Sequence, residues 1–134
     1  LRHSSAASDV YKRQQFLMVF IGGGLGCSLR YIMGKTIHSY NGYPVSTFIV
    51  NIIGCLLIGF FMEYGLKSNF LNENHSIFLI TGFCGGFTTF SAFAAENQVF
   101  LKSSDYVSFG IYSLGSIAIG IFGIIIGAFL AKQL

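Results

Sequence analysis

The sequence predicts an all-α membrane protein: four transmembrane helices, the third broken mid-membrane. Three observations predict this. The first is composition. Of 134 residues, 53 % are hydrophobic and only 10 % charged, and mean hydropathy is +0.66. A soluble domain of ordinary make-up carries about 25 % charge, so this chain has too few charges to cover a soluble surface of its size. The second is a set of four continuous apolar stretches, each near the roughly 20 residues a spanning helix needs. The third is a run of paired glycines and paired threonines inside the third stretch.

The same numbers exclude other classes. A net charge of +3 arises from 8 Lys+Arg against 5 Asp+Glu, which is scarcity of charge and not a basic patch for nucleic acid. The apolar runs are continuous, not alternating, so a β-barrel is excluded. The length suits a single domain.

Residues 1–15 stand apart. They hold Arg2, Lys12, Arg13 and Asp9, while all 17 glycines lie from Gly22 onward. No small-residue cleavage site separates them from the apolar stretch that follows, which argues against a targeting segment. They read as a non-native or disordered tail, and residues 16–134 as the transmembrane domain.

Span 1 is read at Phe16–Met33, span 2 at Val45–Tyr64, span 3 at Ser76–Phe100 and span 4 at Tyr106–Ala131. Pro44 sits at a helix start, where a missing N–H costs nothing. Tyr40, Tyr43, Tyr64 and Tyr106 fall near the interfaces that amphipathic rings prefer. Gly22/Gly26, Gly82/Gly86 and Gly123/Gly127 are small-xxx-small pairs that let helices pack closely. The side carrying the N-terminus, second loop and C-terminus has Lys67 and Lys132; the other has Arg30, Lys35 and Lys102. With the tail set aside, that near-balance selects no orientation, and a chain that inserts both ways can form an antiparallel two-fold dimer.

The chemistry points away from catalysis. Cys27, Cys55 and Cys84 all lie inside spans, and an odd number there is no disulfide framework. His3, His38 and His75 lie in the tail or loops, so no side-chain metal cluster is expected. No phosphate loop and no credible nucleophile–base pair is present.

Polar groups inside spans are costly and mark function by default. Arg30 is either a snorkelling anchor or a cation that draws an anion into a vestibule or holds a loop. Asn51, about two turns into span 2, is either an interhelical hydrogen bond or an uncharged donor in an anion path. In span 3, Gly85-Gly86-Phe87-Thr88-Thr89 is poor for a regular helix. Such a break is tolerated where the backbone is buried or lines a cavity, and its freed carbonyls could bind a cation. Alternatively, the hydroxyls of Thr88, Thr89 and Ser91 re-satisfy the backbone. Phe90 and Phe93 share a face; their electropositive edges can contact an anion, or they simply pack. Tyr112 and Ser116 lie four apart on span 4, as a polar track or as two back-bonded hydroxyls; Gly120 continues that face.

Taken together, Gly22 to Tyr31, Thr47 to Gly54, and above all Gly82-Phe-Cys-Gly-Gly-Phe-Thr-Thr-Phe-Ser-Ala-Phe93, resemble the small bacterial fluoride channels of the Fluc or CrcB family. The resemblance covers about Phe16 to Leu134. It implies a passive fluoride channel of the bacterial inner (plasma) membrane that exports cytoplasmic fluoride, as an antiparallel homodimer with two pores. Phe90 and Phe93 match the pore-lining phenylalanines, and Asn51 matches the span-2 asparagine that donates to fluoride. Gly85 and Thr88 match positions whose backbone carbonyls hold a structural sodium ion on the two-fold axis. Arg30 matches the vestibule arginine, Tyr112 and Ser116 the span-4 hydroxyl track, and Thr89, Ser91 and Glu96 polar positions near the pore. Two positions depart from the pattern. Ala92 stands where many members carry a hydroxyl, and Gly120 where some carry serine, so the track is shorter or bridged by water. The competing classes are a small proton-coupled multidrug exporter, which needs a membrane-embedded carboxylate, and a non-transporting subunit that packs through its glycine faces.

Overall fold

The computed structural model describes residues 2–68 and 71–134. Among them it is all-helical, with no sheet; one isolated bridge joins Tyr40 and Tyr43. The helices are α1 (Arg2–Thr36), α2 (Val45–Lys67), α3 (Glu73–Ser76), a π-helical segment (Ile77–Cys84), α4 (Gly85–Phe87), α5 (Phe90–Lys102) and α6 (Tyr106–Gln133). Four stretches are long and apolar enough to cross a membrane: Ser4–Thr36, Val45–Lys67, Glu73–Lys102 and Tyr106–Gln133. The 23 residues of α2 correspond to about 34 Å at 1.5 Å per residue, enough for a hydrocarbon core about 30 Å thick.

The starts of α2 and α6 fall where the sequence places them, because each follows a clear breaker. Pro44 precedes α2. Asp105 caps α6, its carboxylate accepting the Ser108 N–H at 3.0 Å. Hydrogen bonding from Ser108 also holds the Asp105 carboxyl below its ordinary range. The α1–α2 connection is a tight turn. Tyr40 and Tyr43 exchange backbone hydrogen bonds of 3.1 and 2.9 Å, and the two residues between them, Asn41 (φ 50°) and Gly42 (φ 82°), both take positive φ. Asn-Gly is the pair best suited to that geometry.

Helix α1 extends through residues 2–15, well before the span start read at Phe16. That extension reaches α3: the Tyr11 hydroxyl donates to Glu73 at 2.6 Å and Gln15 Nε2 to the same carboxylate at 3.1 Å.

Two close helix pairs build the bundle. Helix α1 packs on the π-helical segment and α4, and α2 packs along α6. Glycines set both distances. A Cβ on Gly26 would collide with the Phe83 carbonyl, and one on Gly86 would lie 2.9 Å from the Cα of Gly23. A Cβ on Gly127 would collide with the Leu56 carbonyl, and one on Gly59 with that of Ile124. The small-residue pairs seen in the sequence are therefore used within one chain. The π-helix is not legible from composition; such segments are rare and concentrate at functional sites.

Candidate functional site

The site is built where the backbone between α4 and α5 leaves the helical region. Thr88 has φ −79° and ψ 158°, and Thr89 has φ −148° and ψ 119°, both extended. Asn51, reaching across from α2, grips this stretch with its whole amide. Nδ2 donates to the Thr89 carbonyl at 3.0 Å, and Oδ1 accepts the Thr89 N–H at 2.7 Å. Both backbone partners fix the orientation of the amide. One Nδ2 hydrogen is left over, since the group carries two.

The consequence for the helix is specific. In an α-helix each carbonyl accepts from the amide four residues on. The amide due to the Gly85 carbonyl is that of Thr89, which goes to Asn51. The amide due to the Thr88 carbonyl is that of Ala92, which donates to Thr89 Oγ1 at 3.2 Å and caps α5. Both carbonyls thus lose their helical donors. The Thr88 hydroxyl back-bonds to the Cys84 carbonyl at 2.9 Å, and the Thr89 hydroxyl lies 3.3 Å from Ser91 Oγ. The Thr89 hydroxyl thus satisfies a backbone amide at the break, that of Ala92, whereas the Thr88 hydroxyl only adds a second donor to a carbonyl that already accepts the Thr88 N–H. The Gly86 carbonyl accepts from Arg30 Nε at 3.1 Å, and Arg30 Nη2 lies 3.2 Å from Cys27 Sγ. Arg30 therefore ties α1 to α4 instead of only snorkelling.

Two cavities meet at Thr89. One, about 380 Å³, is lined by Arg30, Lys35, Tyr31, Ser46, Thr47 and Thr89 among others and carries two cations. The other, about 270 Å³, is lined by Asn51, Cys55, Thr89, Phe90, Phe93 and Ser116 among others. Every residue lining the second is uncharged. Phe90 and Phe93 stand with ring centroids 5.8 Å apart, tilted at 45°. Phe90 is 78 % exposed, at the outer surface of the helix bundle. Gly85 is exposed too.

The remaining site residues divide. Ser116 lines the uncharged cavity, and its buried Oγ has no hydrogen-bond partner in the described residues. Tyr112, one turn earlier, turns its hydroxyl to Glu96 at 2.7 Å while its ring backs Phe93 at 5.2 Å. The other Glu96 oxygen accepts from Thr47 at 2.5 Å. Glu96 thus joins α2, α5 and α6 through two hydroxyls. Sequence reasoning did not single out Thr47; a lone threonine near a helix start carries no signal of its partner. Nor did it find Asn97, which links to Ser113 Oγ at 2.7 Å.

Residues 17–128 match the family described as "CrcB-like protein, Camphor Resistance (CrcB)". Among curated relatives, the chain is 45 % identical over 122 residues to a protein of Gloeothece citriformis, covering 89 % of this chain and 98 % of the relative. It is 39 % identical over 121 residues to one of Azobacteroides pseudotrichonymphae (89 % and 97 %), and 42 % over 122 residues to one of Phocaeicola vulgatus (89 % and 99 %). All three relatives carry the name "Fluoride-specific ion channel FluC". The match over most of the chain, together with the four apolar helices, establishes a multi-pass membrane protein that belongs to the CrcB-like family.

Proposed function

We propose that the chain is a passive, fluoride-selective channel that lets cytoplasmic fluoride leave a bacterial cell across its inner (plasma) membrane. The observation that carries this reading is the uncharged cavity at the α4–α5 interruption, where amide, hydroxyl and phenyl groups converge. The name shared by the relatives supports it.

Fluoride is small and strongly hydrated. A path for it must replace water with donors and positive edges, yet must not bind so tightly that the ion stays. The spare Nδ2 hydrogen of Asn51, the Ser116 hydroxyl and the edges of Phe90 and Phe93 meet both demands. Arg30 and Lys35 stand in the larger cavity on the other side of Thr89. There they concentrate anions without trapping them in the narrow part. Thr89 lines both cavities, with the Ser91 hydroxyl 3.3 Å from its own, and Glu96 holds Thr47 and Tyr112 in place behind it.

The working unit on this reading is an antiparallel homodimer in lipid with two pores. Phe90 faces outward, where a second copy would bring its own rings. The interruption at Thr88–Thr89 then lies mid-membrane. The Gly85 and Thr88 carbonyls, deprived of helical donors, fit a sodium ion shared between copies. Bound there, sodium supplies positive potential and ties the interrupted helices together. Replacing sodium by N-methylglucamine is expected to lower the thermal unfolding midpoint of the purified protein by several degrees. An unchanged midpoint contradicts the sodium site.

Residues 1–15 lie outside the transporting domain on this reading, as the family match from residue 17 suggests. Deleting them is expected to leave fluoride efflux unchanged; an efflux rate that collapses in a well-folded deletion variant would refute that division. The central test is fluoride efflux from proteoliposomes for wild type and Phe90→Ile. Fast passive efflux abolished by Phe90→Ile supports the channel.

A further inference from the structure

Helices α2 and α6 face each other across the uncharged cavity with matched spacing. Asn51 and Cys55 lie four apart on α2, and Ser116 and Gly120 four apart on α6, so each pair occupies one helix face. All four line the same cavity. Asn51 and Ser116 present polar hydrogens. One turn further along, about 6 Å of helix rise, Gly120 presents nothing. The sulfur of Cys55 faces that gap: a Cβ built on Gly120 would lie 3.5 Å from Cys55 Sγ. Cys55 is half-buried and free of any disulfide.

A second observation concerns the hydroxyl one turn before Gly120. The Ser116 Oγ is buried with no hydrogen-bond partner in the described residues. Buried polar groups in native proteins are almost always paired, so this hydroxyl lacks the partner such a group normally has. Beyond it, the next polar hydrogen along the cavity wall is the Cys55 S–H, a weak uncharged donor. The other thiols are placed differently. Cys84 is fully buried, and Cys27 lines the larger cavity beside Arg30.

We infer that Cys55 is a further lining residue of the conduction path, its thiol donating to the anion at the level of Gly120. The inference rests on the channel reading above. An uncharged weak donor there would carry the ion past the glycine without creating a site too deep to leave.

The test compares wild type, Cys55→Ala and Cys55→Ser in proteoliposomes, with the S–H infrared stretch of the purified protein recorded with and without fluoride. Cys55→Ala is expected to slow efflux about threefold to fivefold, the effect of losing one modest hydrogen bond. Cys55→Ser, with a stronger donor, is expected to match or exceed wild type. A fluoride-dependent fall in S–H frequency, absent from Cys55→Ala, is expected. Alanine conducting like wild type would overturn the inference. So would a misfolded serine variant, which would mark the thiol as apolar packing, or a stretch indifferent to fluoride. The infrared reading does not need conduction. A wild-type protein that passes no fluoride but shows the shift would sink the channel reading and keep the thiol contact.

Discussion

Asn51→Ala is expected to reduce fluoride efflux by about two orders of magnitude or more. The side chain makes two hydrogen bonds to one residue, at 3.0 and 2.7 Å to Thr89. Leaving a buried backbone group unpaired costs about 1–3 kcal/mol, and two such groups are exposed by one truncation. A tenfold change in rate needs only about 1.4 kcal/mol. The chain has a cheaper way out than leaving both groups unpaired: the Thr89 N–H can close onto the Gly85 carbonyl. That would lengthen α4, move Phe90 out of register and take Gly85 away from any cation. Asn51→Asp should fail as well. It keeps an acceptor for the Thr89 N–H, loses the donor and places negative charge in an anion path. Efflux from well-folded Asn51→Ala at the wild-type rate would show that the amide neither holds the interruption nor serves the ion.

Gly127→Val is expected to prevent accumulation of folded protein. A Cβ at residue 127 collides with the Leu56 carbonyl and lies 2.8 Å from the Phe60 amide nitrogen. Those atoms are backbone, so no rotamer change relieves the overlap and α2 must move away from α6. Overpacking typically costs about 1–3 kcal/mol where side chains can adjust; here the cost should lie at or above the top of that range. The cavity between α2 and α6 would be deformed in the same step. Gly115→Ala on the same helix is the control. Nothing lies within 4 Å of its Cβ, and alanine is the better helix former by about 1 kcal/mol. Yield and size-exclusion profile in detergent read both. A monodisperse Gly127→Val at wild-type yield would contradict the packing.

The helix count was legible because hydropathy alone carries it. The span starts at Val45 and Tyr106 coincide with the structure, since Pro44 and Asp105 announce them. Helix α1 begins before the span read from Phe16, because the more polar residues 2–15 precede the apolar run yet continue the same helix. The π-helix at Ile77–Cys84 left no trace: its residues are ordinary apolar ones, and the pattern of hydrogen bonding is a tertiary matter. At the candidate site, Asn51, Phe90, Phe93 and Ser116 stand out in the sequence because each is polar inside a span or paired at helical spacing, and the structure places all four around one cavity. The clamp on Thr89 could not be read, since it joins residues 38 positions apart. The Thr47–Glu96–Tyr112 link was hidden for the same reason. Tyr112 and Ser116 share a helix face, as spacing required, yet one serves Glu96 and the other the cavity.

The most direct measurement is fluoride release from sodium-containing proteoliposomes into chloride-free buffer, followed with a fluoride electrode, for wild type and Phe90→Ile side by side. The channel reading predicts fast efflux from wild type, with no energy source, and none above empty liposomes from Phe90→Ile. Well-folded wild-type protein that releases fluoride no faster than empty liposomes would contradict it.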